Sequence, residues 1–201
     1  MASPRIFLLS PAHCGGRRAA VLLNERATFP LAQRLRATGL PLGEAFSFLS
    51  GLYFRGKLTY AARFARPPAD HPGVQVITTD RGLLEADAPI GIGDLRAFGT
   101  VDIHADAPAY RTPIQRDIAR LGLVADLEVV LLGSVATGKY VDVLLESLGD
   151  RLLFPSEFVG RGDMSRGGLL LRAADSGQEL SYEPVAGARR RGRRPPRLAP
   201  R

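Results

Sequence analysis

The sequence contains a single cysteine, Cys14, and no apolar run close to the roughly 20 residues that a membrane-spanning helix needs. One cysteine excludes an internal disulfide and argues against a metal site built on several thiolates. The first apolar run, Ile6–Leu9, is shorter than the roughly 7–15 residues of a signal-peptide core, so we interpret it as part of a buried strand. These absences favour a cytoplasmic protein, and we expect no membrane association, no metal and no cofactor.

Acidic residues are absent from residues 189–201, a stretch rich in Arg and Pro. It holds seven of the 27 Lys and Arg residues, which leaves 20 basic and 20 acidic residues in 1–188. The net charge of +7 is therefore a property of the tail. We predict one α/β domain over 1–188 and a disordered basic tail over 189–201. Such a tail can hold RNA, DNA or an anionic surface without sequence preference, or it can serve only to keep the chain soluble.

Four apolar runs predict the strands of one sheet. They are Arg5–Leu9, Val74–Thr78, Leu127–Leu132 and Leu152–Phe154. Continuous apolar strands that alternate with helical patterns indicate an open, mainly parallel sheet with helices on both faces. Near the C-terminus, Leu169–Arg172 and Glu179–Tyr182 flank a turn at Gly177, and we expect them to form a β-hairpin.

Polar, Gly-rich or cationic segments follow all four predicted strands. They read SPAHCGGRR, TDRG, GSVATGK and PSEFVGRGDMSRGG. Because ligands of parallel sheets bind beyond the carboxyl ends of the strands, we expect these segments to share one site for a nucleotide or a nucleic-acid fragment. The candidate phosphate-binding residues are Ser10, Arg17, Gly133, Ser134, Thr137, Gly138, Lys139, Arg161 and Arg166.

The segment GSVATGKY resembles a Walker A loop and then departs from it. Gly133 and Gly138 allow backbone N–H groups to approach an anion, and Lys139 can neutralise a phosphate. Tyr140 stands where the motif needs Ser or Thr to hold magnesium, and no downstream strand ends in an acid that would complete the metal site. The pattern argues against ATP or GTP hydrolysis. It leaves open an anion contact or a plain strand-to-helix turn.

Two residues are candidates for catalysis. Cys14 lies near a predicted helix N-terminus and Arg17, which would lower its thiol pKa and favour a nucleophile; a small buried residue beside a Gly-Gly turn is the alternative. Asp80 can contact a sugar or a base, act as a general base in glycosidic-bond chemistry, or cap a turn.

The segment GRGDMSRGG, residues 160–168, predicts a mobile loop. With Arg161 and Arg166 as clamps, this loop would fold over a bound anion. A surface turn is the alternative interpretation.

Several short segments resemble the YaaA peroxide-stress proteins. LLSPA is similar to their opening strand and loop, and LYFRGKLTYAARFA followed by VQVITTDRGLLEADAPI is similar to a helix, strand and acidic-proline loop of that family. The matching elements are Tyr60-Ala61, Val74–Thr78, Gly82-Leu83-Leu84 and Asp87–Pro89. The resemblance covers about half of the chain and implies an α/β protein connected with nucleic acid. The chain is shorter than YaaA proteins, and its basic excess lies in the tail.

Two other functions are compatible with the same sequence. A non-catalytic, nucleic-acid-associated accessory protein would take its affinity from the basic tail and use the fold to bind a partner protein. The other possible function is that of an enzyme whose activity depends on Cys14.

Overall fold

The computed structural model describes residues 3–104, 106–196 and 198. The strands in this part of the chain are β1 (Arg5–Leu9), β2 (Leu40–Pro41), β3 (Val74–Ile77), β4 (Leu83–Glu85), β5 (Pro89–Ile90), β6 (Glu128–Leu132), β7 (Leu152–Pro155) and β8 (Tyr182–Pro184). The α-helices are α1 (Arg17–Leu22), α2 (Pro30–Ala37), α3 (Leu42–Ser50), α4 (Leu52–Phe64), α5 (Ile92–Thr100), α6 (Pro108–Gly122), α7 (Gly138–Leu148) and α8 (Asp163–Ser176).

Six of these strands form one sheet in the order β4-β3-β1-β6-β7-β8. The four central strands, β3, β1, β6 and β7, are parallel, and the edge strands β4 and β8 are antiparallel to their neighbours. Strands β2 and β5 form a separate antiparallel pair. The predicted α/β fold with a mainly parallel sheet is therefore confirmed.

The sheet is wound in two directions from β1. The chain goes from β1 to β3 on one side, then crosses back to add β6 and β7 on the other. Because parallel crossovers are right-handed, this reversal places α4 on one face and α6 and α7 on the opposite face. In agreement, α4 packs against α8, and α6 packs against α7. The central strand residues Ile6–Leu9 are fully buried, as expected of strands covered on both faces.

Helix α4 runs from the carboxyl edge of the sheet to the amino edge. Midway along the helix, Lys57 contacts Ser10, which follows the carboxyl end of β1. Just after the end of the helix, Arg66 pairs with Arg5, the first residue of β1. Its packing against α8 depends on Gly56, where a Cβ atom would lie 2.7 Å from the backbone oxygen of Gly167. The backbones of α4 and α8 are therefore in close contact at this point.

The predicted C-terminal β-hairpin is wrong. Residues 169–172 lie inside α8, and β8 pairs with β7. The composition of the LLLR run favours a strand, but Leu170 and Ala173 belong to a helical stripe that is buried on the inner side of α8. Gly177 forms no hairpin turn; it adopts φ of 69° and ends α8 in the left-handed conformation that glycine favours.

Residues 189–196 and 198 form neither helix nor strand, and the disorder expected of this tail stays a prediction. None of the helices in the described ranges combines the length and the apolar character needed to cross a membrane.

Candidate functional site

The strand order of the sheet reverses between β1 and β6, and ligand crevices of doubly wound sheets form at such a point. The last residues of the two strands, Leu9 and Leu132, are paired, so Ser10 and Gly133 leave the sheet side by side. A Cβ atom at Gly133 would lie 2.9 Å from Cβ of Ser10, so the approach of the two chains requires glycine.

A cavity of about 140 Å³ opens at this edge. Its walls come from Pro11–Cys14 after β1, Thr79 after β3, the Phe98–Ile103 segment at the end of α5, and Lys139 and Tyr140 at the start of α7. Three of the four segments predicted to share the carboxyl edge therefore contribute to one cavity.

Helix α7 begins in the wall of this cavity. Its N-cap residue, Thr137, makes no side-chain capping bond, so the first N–H groups of the helix are not satisfied by that side chain. The exposed ammonium of Lys139 has no carboxylate partner among the described residues and lies 5.8 Å from the centre of the Tyr140 ring. The Asp142 carboxylate lies beside Gly138 in the first turn of this helix, so the unpaired Lys139 ammonium is the group best suited to an external anion.

Tyr140 provides a neutral hydroxyl where a Walker A loop has a magnesium ligand. The residue is only 8% exposed, and its hydroxyl makes no hydrogen bond within the described part of the chain. Burial first, and the Asp163 carboxylate second, raise its pKa to about 12. The hydroxyl is therefore protonated at neutral pH and can donate to a ligand in the cavity.

Cys14 lines the cavity but is not an activated thiol. Burial raises its pKa to about 12, and Sγ donates a weak hydrogen bond to the Ala12 backbone oxygen at 3.6 Å. The expected lowering of the pKa is wrong because the side chain faces the interior and its charged form loses hydration. Arg17 lies exposed on the first turn of α1 and is not part of the cavity wall.

The predicted arginine clamp is also wrong. Arg166 lies in α8, is 7% exposed, and donates from Nε and Nη2 to the Phe158 backbone oxygen. Arg161 donates to the Glu157 backbone oxygen and to Ser165 Oγ. Both guanidinium groups thus stabilise the turn before α8, and the second half of the predicted mobile loop is the start of that helix.

The remaining candidates lie around the cavity without lining it. Ser134 and Thr137 lie in the connection before α7, Gly138 is the first residue of that helix, and Asp80 follows Thr79 beyond β3. One carboxylate oxygen of Asp80, Oδ1, is buried and has no hydrogen-bond partner in the described ranges.

Sequence reasoning missed Lys57, the most unusual side chain at this edge. It is 1% exposed, and its ammonium nitrogen donates to the backbone oxygen of Ser10 at 2.5 Å and to Ser10 Oγ at 2.9 Å. The rings of Tyr53 and Phe54 lie 4.6 and 4.7 Å away. Burial lowers the pKa of Lys57 to about 7, with a further lowering from Arg166 and an opposing effect of Asp163.

A signal for Lys57 was present in the sequence. In LYFRGKLTYAARF, the buried positions Tyr53, Phe54, Tyr60 and Ala61 form an apolar helical stripe, and Lys57 falls inside it. The chain also uses lysine only twice among its 27 basic residues. Both lysines, Lys57 and Lys139, lie at the carboxyl edge of the sheet.

No cluster of three or more His, Cys, Asp or Glu side chains suited to a metal ion occurs in the described ranges. Comparisons of the chain with protein-family models, curated proteins and solved structures find no match. The likeness to YaaA proteins therefore stays a prediction.

Proposed function

We propose that the protein binds a phosphate-bearing ligand, a nucleotide or a nucleic-acid fragment, in the cavity at the carboxyl edge of the sheet. The observation that carries this proposal is the unpaired ammonium of Lys139 at the start of α7, in the cavity wall at the strand-order reversal. Lys139 and the first N–H groups of α7 would hold the phosphate. The Tyr140 hydroxyl would donate a further hydrogen bond.

The distribution of charge supports an anionic ligand at this edge. Arg18 and Arg55 line an open depression beside the start of α4, and neither has a carboxylate partner in the part of the chain that the structure describes. At the amino edge, by contrast, Arg5 forms ion pairs with Glu128 and Glu179. Unpaired cations on one side create a field that attracts anions to that side, and the Asp102 carboxylate in the cavity wall opposes part of it.

The proposal is tested by thermal stabilisation with nucleotides, short oligonucleotides and inorganic phosphate. We expect at least one phosphate-bearing ligand to stabilise the wild-type chain. Lys139→Met should weaken its binding by roughly tenfold or more, as expected for the loss of a charge-assisted hydrogen bond.

Two arginines of α4 provide a matched pair of variants. Arg55→Gln and Arg63→Gln remove the same charge from one helix, near the carboxyl edge and near the amino edge respectively. Only Arg55→Gln should weaken binding. No stabilisation by any phosphate ligand, or an unchanged affinity after Lys139→Met, would overturn the proposal.

A second candidate rests on the concentration of basic charge in 189–201 and the balance of charges in 1–188. In this alternative, the tail alone holds nucleic acid, and the fold has no catalytic role. A chain that ends at residue 188 separates the two proposals. Loss of oligonucleotide binding with full retention of nucleotide binding would assign polymer affinity to the tail and the nucleotide to the cavity.

A further inference from the structure

We propose that Ser10 and Lys57 form a nucleophile–base pair that transfers a small acyl group from an ester. The hydroxyl oxygen of Ser10 lies 2.9 Å from the amine nitrogen of Lys57, within the 2.6–3.2 Å range expected of such a pair. Both residues lie where the first strand leaves the sheet, directly before the Pro11–Cys14 wall of the cavity.

The geometry also suits an amine without its extra proton. In the structure the Ser10 hydroxyl donates a long hydrogen bond to the Leu132 backbone oxygen at 3.4 Å. A neutral amine at Lys57 can keep one N–H on the Ser10 backbone oxygen while this hydroxyl rotates to donate to the amine lone pair. Burial lowers the pKa of Lys57 to about 7, so a large fraction of the amine is neutral at physiological pH.

The use of lysine at this position is informative because, apart from Lys139, every other basic residue of the chain is an arginine. An arginine keeps its proton at any physiological pH and cannot act as a base, whereas a buried lysine can lose it. Lys57 does not serve as an ion-pair partner, because no carboxylate in the described part of the chain forms a salt bridge with it. The ability to lose and regain a proton is therefore the property that distinguishes Lys57 from an arginine at the same position.

Ser10 is 6% exposed and lies directly before the residues that line the cavity, with the Gly133 backbone packed against it. A Cβ atom at Gly133 would lie 3.2 Å from Ser10 Oγ. The rings of Tyr53 and Phe54 make the surroundings apolar. An uncharged carbonyl reaches such a hydroxyl at far lower desolvation cost than a charged phosphoryl group, so we assign the pair to acyl esters.

The reaction proceeds in two balanced steps. As the Ser10 oxygen bonds to the acyl carbon, its proton passes to the Lys57 amine; the ester bond then breaks, and the departing alkoxide takes that proton. Water next attacks the acyl-serine, Lys57 again accepts a proton, and that proton returns to the Ser10 oxygen as the acid is released. Neither step needs the phosphate site, so this inference stands apart from the proposed function.

The test uses the full chain, a fluorophosphonate probe and p-nitrophenyl acetate, which carries no phosphate. Mass spectrometry of the labelled chain should place the adduct on Ser10, and Ser10→Ala should abolish it. Both rates should rise with pH through a midpoint near 7, where Lys57 loses its proton. Lys57→Met should slow both reactions by about 100-fold or more, and Lys57→Arg should not restore them.

Ser181→Ala removes an exposed serine outside the site and serves as the control, with unchanged rates expected. If Lys57→Met fails to fold, the pH profile of the wild-type chain still tests whether Lys57 acts as the base. No Ser10 adduct on the folded chain, an adduct on another serine, or a Ser10 rate that is flat between pH 6 and 8 would overturn the inference. Thermal stabilisation of the protein by nucleotides can persist in any of these cases, so one proposal can be refuted while the other stands.

Discussion

The replacement Lys57→Met tests the burial of an ionisable amine beneath the carboxyl edge. Methionine keeps the length and apolar contacts of the side chain but cannot bind a proton. In the wild-type chain, the pKa of Lys57 is lowered from 10.5 to about 7, whereas the unfolded chain keeps the ordinary value. Between these values the unfolded state holds the proton and the folded state does not, so the free energy of unfolding increases with pH.

The magnitude follows from the two pKa values. A full proton difference changes the unfolding free energy by about 1.4 kcal/mol per pH unit. Between pH 6.5 and 8.5 the folded chain is still partly protonated in the lower part of the range, which reduces the total to about 2 kcal/mol. Below pH 6 both states hold the proton, and this contribution no longer varies.

Urea unfolding of both chains at several pH values measures the effect. Subtracting the Lys57→Met curve from the wild-type curve removes the titration of all other groups that the two chains share. The difference should rise by about 2 kcal/mol from pH 6.5 to 8.5. A difference that stays constant over this range would show that Lys57 keeps an ordinary pKa and would refute the buried neutral amine.

Three further predictions concern packing, the thiol and the cavity. Gly56→Ala should destabilise the fold by about 1–3 kcal/mol in urea unfolding, because the added Cβ would lie 2.7 Å from the Gly167 backbone oxygen. The control Gly93→Ala adds a Cβ that has no other atom within 4 Å, and it should stabilise the fold by about 0.5–1 kcal/mol. Iodoacetamide should alkylate Cys14 at least about 100-fold more slowly in the folded chain than in urea at pH 8, and equal rates would contradict its raised pKa. Tyr140→Phe should weaken nucleotide binding about tenfold and leave the free chain's stability within about 0.5 kcal/mol, because the hydroxyl has no partner to lose; unchanged affinity would remove Tyr140 from the site.

The central part of the fold was predictable from local sequence because its signals are continuous. Ile6–Leu9 and Val129–Leu132 are apolar throughout, since parallel strands with helices on both faces have no polar side. The C-terminal hairpin failed for the opposite reason. Residues 169–172 are three leucines and an arginine, too few to show a period, and only the packing of α8 on α4 decides between helix and strand.

The position of the cavity at the carboxyl edge was predictable from the sequence, but its lining residues were only partly predictable. The parallel order of the strands was enough to place Cys14 and Lys139 at the same edge. It could not reveal that Arg166 turns inward to the Phe158 oxygen, because that depends on the turn before α8. Lys57 lies far along the chain from Ser10, and only the packing of α4 on β1 brings their side chains together.

Selective labelling of lysine side chains provides the most direct test of the carboxyl-edge site, because the chain contains only Lys57 and Lys139 and each gives one NMR signal. The measurement is a titration of the lysine-labelled chain with a nucleotide that stabilises it. The account predicts that the Lys139 signal shifts in a saturable manner at the affinity found by thermal stabilisation. A nucleotide that binds while the Lys139 signal stays in place would contradict it.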